Sequence, residues 1–209
     1  MPTPAFDLHP SVAYVQSVID NLPAKTGKDL AAWVKLARGA QLPEAKALNA
    51  WLKGQGLGGT QAGIVAERAL ARSGHAFDDT PEGYLAAAPG YVDAQYAGKK
   101  ASLRPVFEAV VAWARKELKG IKVSPCETIV PFYREHVIAQ LKPTTQTRVD
   151  LGLALGDPAL LKDPQGRLVD TGGFAKKDRI TVRIELTSTT DFDAAAQDWL
   201  RRAWERDQA

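Results

Sequence analysis

The sequence predicts an α+β protein in which a small N-terminal helical bundle is followed by a mainly antiparallel sheet backed by two helices. Three observations carry that reading. Apolar residues recur at helical spacing in short, punctuated segments over residues 11–73. Apolar–polar alternation occurs only beyond residue 120. One helical stripe precedes the alternating segments and another follows them. Helices and strands that are segregated along a chain, rather than alternating, give separate layers instead of a doubly wound parallel sheet. With 209 residues, 45% hydrophobic and 24% charged, the chain has ordinary globular composition and enough length for one large or two small domains.

Ser11, after Pro10, is placed to cap a first helix with Val12, Val15, Ile19 and Leu22 on one face and Pro23 as its stop. Thr26 and Asp29 approximate a capping box ahead of Leu30, Trp33, Val34 and Ala37, with Gly39 as a left-handed exit. Pro43 suits the first turn of a third helix, which turns Ala47, Leu48, Trp51 and Leu52 inward and ends at Gly54. A fourth begins after Thr60 and carries Ile64, Val65 and Leu70 towards Gly74. Helices this short are marginal alone in water, so they must share a core. Residues 1–73 are therefore read as a helical module. Residues 74–101 are read as a linker with short helices, because glycines and prolines interrupt its apolar runs.

Residues 102–209 are read as an α+β module. Leu103, Val106, Phe107, Val110, Val111, Ala114 and Leu118 form a helical face ended by Gly120. Strands are expected over 121–124, 128–133, 137–141, 148–155 and, after a turn-rich insert, 179–186. Ser188 and Asp191 form a second capping box before a helix that turns Phe192, Ala196, Trp199, Leu200 and Ala203 inward.

The two clearest strands also supply the candidate site. Val149, Leu151, Leu153 and Leu155 share one face, as do Ile180, Val182, Ile184 and Leu186, which leaves Arg148, Asp150 and Gly152 with Thr181, Arg183 and Glu185 on the other. Arginine forks bind carboxylate or phosphate bidentately, so Arg148, Asp150, Arg183 and Glu185 are the candidate binding face for a small polar or anionic ligand or a protein partner. The same four residues also read as cross-strand ion pairs on a solvated face.

Charge locates an alternative. There are 27 basic and 24 acidic residues, and the surplus lies in residues 91–150, with 10 bases against 6 acids. The alternative is nucleic-acid binding through the helical module and the basic ends of the 103–119 helix, with Lys99, Lys100 and Arg104, together with Lys176 and Lys177, as the candidate contacts. The glycine-rich Gly54–Thr60 segment lacks the Lys-Ser/Thr ending of a nucleotide loop and follows a helix, so it reads as a tight helix connection.

One cysteine, Cys126, excludes an internal disulfide framework and a multi-cysteine zinc site, and suits a reducing compartment. Cys126 or a carboxylate serving a small hydrolase is a third reading; no catalytic set is recognisable. The three histidines are scattered and no metal or cofactor is expected. No segment has the roughly 20 apolar residues of a membrane span, and the first residues lack the order of a signal peptide, so a cytoplasmic protein without a membrane partner is expected. Oligomeric state is not legible.

Thr26-Gly27-Lys28, Ala50-Trp51-Leu52-Lys53, Gly56-Leu57-Gly58, Ala97-Gly98-Lys99, Leu103-Arg104-Pro105, the Thr147–Leu153 strand and Trp199-Leu200-Arg201 together resemble a bacterial two-module family of unknown function. Its helix–sheet–helix order is also similar to the YdhG-like group, distantly like frataxin. The resemblance brings no catalytic residues, and two modules without a recognisable catalytic set are read as a non-enzymatic cytoplasmic binding or adaptor protein. Iron handling, suspected for that group, sits poorly with a 103–119 helix whose only acids are Glu108 and Glu117.

Overall fold

A computed structural model describes residues 6–70 and 80–207, which form two compact units divided between Ala87 and Ala88, with Phe6 and Asp7 grouped with the second. In the first unit α1 (Pro10–Asp20), α2 (Leu22–Thr26), α3 (Leu30–Gly39), α4 (Ala45–Gly54) and α5 (Gly59–Leu70) are joined by short turns. Leu22, Trp33, Leu48, Leu52 and Val65 form its core. The Trp33 indole donates to Thr26 Oγ1 at 2.8 Å, which ties α3 to the end of α2. Arg38 donates to the carbonyls of Ala69 and Arg68, capping the exit of α5.

Several local signals act differently from the sequence expectation. His9, not Ser11, caps α1, its ring nitrogen accepting from the Ser11 amide. Pro23 does not stop α1; it sits in the first turn of α2, where its missing N–H has no partner to lose. Asp29 caps α3 by itself, accepting from Ala32 N, while Thr26 is occupied by Trp33. After α3 the left-handed residue is Gln41, at φ 54, rather than Gly39. Gly74 lies outside the described residues.

The stretch expected as a linker with short helices holds α6 (Pro81–Gln95), which is 15 residues long with Pro89 inside it. Tyr84, Ala88, Val92 and Gln95 recur at helical spacing and are all buried, and that burial outweighs the backbone bond that Pro89 forgoes. A 3-10 turn, Gly98–Leu103, then leads into α7 (Arg104–Glu117).

The second unit is the α+β layer that the sequence predicts. Its strands are β1 (Lys122–Val123), β2 (Val130–Tyr133), β3 (Val137–Lys142), β4 (Val149–Leu153), β5 (Val169–Asp170) and β6 (Val182–Leu186). They form a six-stranded sheet in the order β1-β2-β3-β4-β6-β5, with every neighbouring pair antiparallel. Asp7 borders β1: its amide donates to Val123 O and its carboxylate accepts from Val123 N. Strand β5 lies inside the turn-rich insert, where the sequence reading places no strand. α7 and α8 (Ala194–Arg206) share one core with Phe132, Leu141, Leu151, Leu153 and Ile184, so the two helices back the same sheet face. The Ser188–Asp191 box is present, but it closes the 3-10 turn Thr189–Asp191; Asp193 caps α8 by accepting from Ala196 N.

Among the described residues no helix is long and apolar enough to cross a membrane.

Candidate functional site

The register of β4 and β6 sets Asp150 opposite Glu185 and Gly152 opposite Arg183. Like charges opposite one another are unfavourable unless cations lie between them. Arg148 and Arg183 supply those cations. Arg148 Nη1 and Arg183 Nη2 each approach Glu185 Oε1 at 2.9 Å. On the inner side, Arg148 Nε lies 2.8 Å from Asp150 Oδ1 and Arg183 Nε 3.6 Å from Asp150 Oδ2. The Arg148 Nε–Asp150 Oδ1 contact is a close charge contact, since its N–H is not aligned for a hydrogen bond. Thr144 completes the cluster by donating to Asp150 Oδ2 at 2.7 Å.

The cluster is graded in exposure, from 14% for the Asp150 side chain to 39% for Glu185. Asp150 is its inner anchor and Glu185 its solvent-facing member. The hydrogen bond from Arg183, followed by the charges of Arg148 and Arg183, holds the Glu185 carboxyl below its ordinary range despite some desolvation. All four residues selected on sequence grounds are therefore brought together. Thr144, from the β3–β4 turn, was not selected; its position two residues beyond Lys142, in a Thr-rich turn facing Asp150, is the signal.

One part of the alternation fails. The two-residue period puts Ile180 in the core set and Thr181 on the polar face, but Thr181 is 2% exposed, and a Cβ at Gly152 would meet Ile180 Cγ2 at 2.7 Å. Ile180 thus covers Gly152 on the polar side. The physical reason is that β6 begins at Val182, so residues 180 and 181 precede the regular ladder and do not keep its two-residue period.

The basic positions of the nucleic-acid reading are dispersed in role. Arg104 pairs with Asp93 at 2.7 Å and Glu108 at 3.1 Å. Lys100 donates to the Pro143 carbonyl. Lys99, Lys176 and Lys177 are exposed, and Lys177 adopts φ 60 in the turn after Gly173. In the glycine connection, the Gly58 amide is taken by Gln61 Oε1 at 2.9 Å.

Burial, and then the Glu127 carboxylate, push the Cys126 thiol up from its ordinary value, the opposite of nucleophile activation. His136 pairs instead with Asp207 at 3.1 Å. The Asp207 side chain is 3% exposed, and it also accepts from the amides of Glu135 and His136 and from Arg179 Nη2. Burial works to raise the Asp207 carboxyl, but these hydrogen bonds outweigh it and hold the group low. Among the described residues no three His, Cys, Asp or Glu side chains gather as a metal-holding group.

A family model described as Domain of unknown function (DUF5655) matches residues 92–207, more than half of the chain. The chain belongs to that family. Its DUF5655 portion begins within α6 and contains the whole sheet, both backing helices and the four-residue charge cluster. A second model, Domain of unknown function (DUF4287), matches residues 14–58, from α1 to the turn after α4. The two matches give a two-part protein of unknown function. No curated protein and no solved structure matches the chain.

Proposed function

We propose that the chain is a non-enzymatic binding protein whose DUF5655 portion takes a polar, anion-bearing ligand or partner on the open face of its sheet. The observation that supports this reading is the convergence of Arg148 Nη1 and Arg183 Nη2 on one carboxylate oxygen of Glu185, the most exposed of the four charged side chains. Glu185 occupies the position that a ligand carboxylate or phosphate would take. An incoming anion exchanges with it, and the displaced Glu185 turns to water at little cost because it is already partly solvated. Asp150 and Thr144 stay in place and keep both guanidiniums oriented, so the fork is preorganised.

A cytoplasmic setting, consistent with the single cysteine, and a distant likeness to the bacterial YdhG-like and frataxin-like group are part of this reading. The likeness is one of helix–sheet–helix order and transfers no role. On α7, Glu108 is paired with Arg104, and Glu117 lies near Lys116 and Arg201, which leaves no free acidic ridge for iron.

The test is a thermal-shift titration with inorganic phosphate, citrate and succinate on the wild type, Arg148→Ala, Arg183→Ala and Glu185→Gln. The reading expects Glu185→Gln to bind more tightly and each arginine variant to lose about tenfold or more in affinity. Unchanged affinity in Arg148→Ala and Arg183→Ala, with folding intact, overturns it.

A further inference from the structure

A different part of the second unit combines an apolar cleft with two cations, Lys162 and Arg206, that have no ion-pair partner among the described residues. The cleft, of about 330 Å³, lies between α8 and the loop that follows β4. Its floor is Leu155 and Trp199, both buried; its wall is Leu160 and Leu161; its rim is Lys162, Arg202 and Arg206. Ligand sites of this size are mostly apolar with a few placed polar groups. Leu160 is 79% exposed, the most open large apolar side chain among the described residues.

The three rim cations are not equivalent. Arg202 pairs with Asp198 at 2.8 Å and lies over the Trp199 ring at 4.5 Å, so its charge is compensated and its plane serves as packing. Among the described residues neither Lys162 nor Arg206 has an ion-pair partner. The carboxylates of the same loop are turned to the backbone instead: Asp157 accepts from Ala159 N and Asp163 from Leu168 N. Gly156 makes room for the Arg206 guanidinium, since a Cβ there would lie 2.6 Å from Arg206 Nη2. Its φ of 78 independently favours glycine.

We propose that this cleft binds a small amphipathic carboxylate, a short acyl chain or single aromatic ring ending in one carboxylate. The carboxylate sits on Arg206 and Lys162, and the apolar part covers Leu160 and lies against Leu161, Leu155 and the Trp199 indole. This site is separate from the sheet face and does not depend on it. The guanidinium fork suits a carboxylate better than a diffuse charge does, and an apolar tail distinguishes the ligand from the fully polar anions expected on the sheet.

The test is an NMR titration of the whole chain with octanoate and, in parallel, with octanol, following the Trp199 indole N–H and the backbone amides. Octanoate should shift Trp199 and the 155–162 amides saturably, and octanol should bind about tenfold or more weakly. Arg206→Ala and Lys162→Ala, both exposed positions, should each weaken octanoate about fivefold or more without lowering the thermal midpoint. Leu160→Ala should weaken octanoate and octanol together. Equal affinity for the two probes, undiminished octanoate binding in Arg206→Ala, or shifts that leave Trp199 unmoved each overturn the proposal. Octanoate shifts confined to the Arg148–Glu185 face also overturn it and assign the ligand to the sheet.

Discussion

On the sheet face, two guanidiniums meet two carboxylates within 3.6 Å; beside α8, Lys162 and Arg206 meet none among the described residues. Both places hold two of the chain's cations with two acids nearby in sequence. They differ in what surrounds the charge. In the first, the cross-strand register brings acids to the arginines. In the second, each acid of the loop accepts from a backbone amide of that loop and, among the described residues, pairs with no cation. A cluster of the first kind stabilises the fold and admits a ligand only by exchange, whereas one of the second kind leaves its attraction unspent. Counting bases therefore locates neither site, because the partners decide.

The contrast is open to direct attack, and the largest effect should come from Asp150. Asp150→Ala removes the 14%-exposed anchor of both arginines and should cost about 2 kcal/mol in urea unfolding, less than a fully buried pair because the outer members are solvated. Lys162→Ala and Arg206→Ala should stay within about 0.5 kcal/mol of wild type in the same assay. If the three variants unfold alike, the distinction between spent and unspent charge fails. Gly152→Ala comes next. Its Cβ would fall 2.7 Å from Ile180 Cγ2 and 3.1 Å from Gln140 Cγ, so a loss of about 1–2 kcal/mol is expected from overpacking the face beside the charges.

Asp207 tests a third, fully engaged cluster through pH. Its folded carboxyl is held below the ordinary value, so its contribution is complete above the unfolded value, near about 4, and is lost as pH falls through the folded one. Asp207→Asn should therefore lower stability at neutral pH and flatten the acid limb of the stability profile below about pH 4. An unchanged acid limb would remove Asp207 from the set. Arg104→Ala should have the smallest effect, about 0.5 kcal/mol from two partly exposed pairs. It should leave the salt dependence of any nucleic-acid binding, read by tryptophan fluorescence, unaltered, because that cation is already committed to Asp93 and Glu108.

The sequence reveals the α+β order and the core faces of β4 and β6 because a two-residue period with one buried face leaves a strong pattern. It reveals the four charged residues of the face for the same reason. Ile180 and Thr181 defeat the pattern because they lie just outside the ladder, and β5, two residues long, carries too little period to be seen. The cap of α1 and the role of Pro23 depend on which of several competent neighbours takes the free amides, which spacing does not rank. The cleft at α8 leaves a faint signature: Trp199, Arg202 and Arg206 follow an i, i+3, i+7 spacing on one helical stripe. Nothing local reveals that the Leu160–Lys162 segment comes to lie beside them, since that juxtaposition is made by the fold.

The terminal strands of the sheet carry one more consequence. β1 and β5 have two residues each, and Asp7 occupies both the amide and the carbonyl of Val123. A sheet is vulnerable to adding a foreign strand wherever a long row of unpaired backbone groups runs along its border. Among the described residues neither border offers such a row, so this sheet is poorly suited to growing into fibrils or pairing with a second copy by strand addition. Self-association, where it occurs, should run through side-chain surfaces instead.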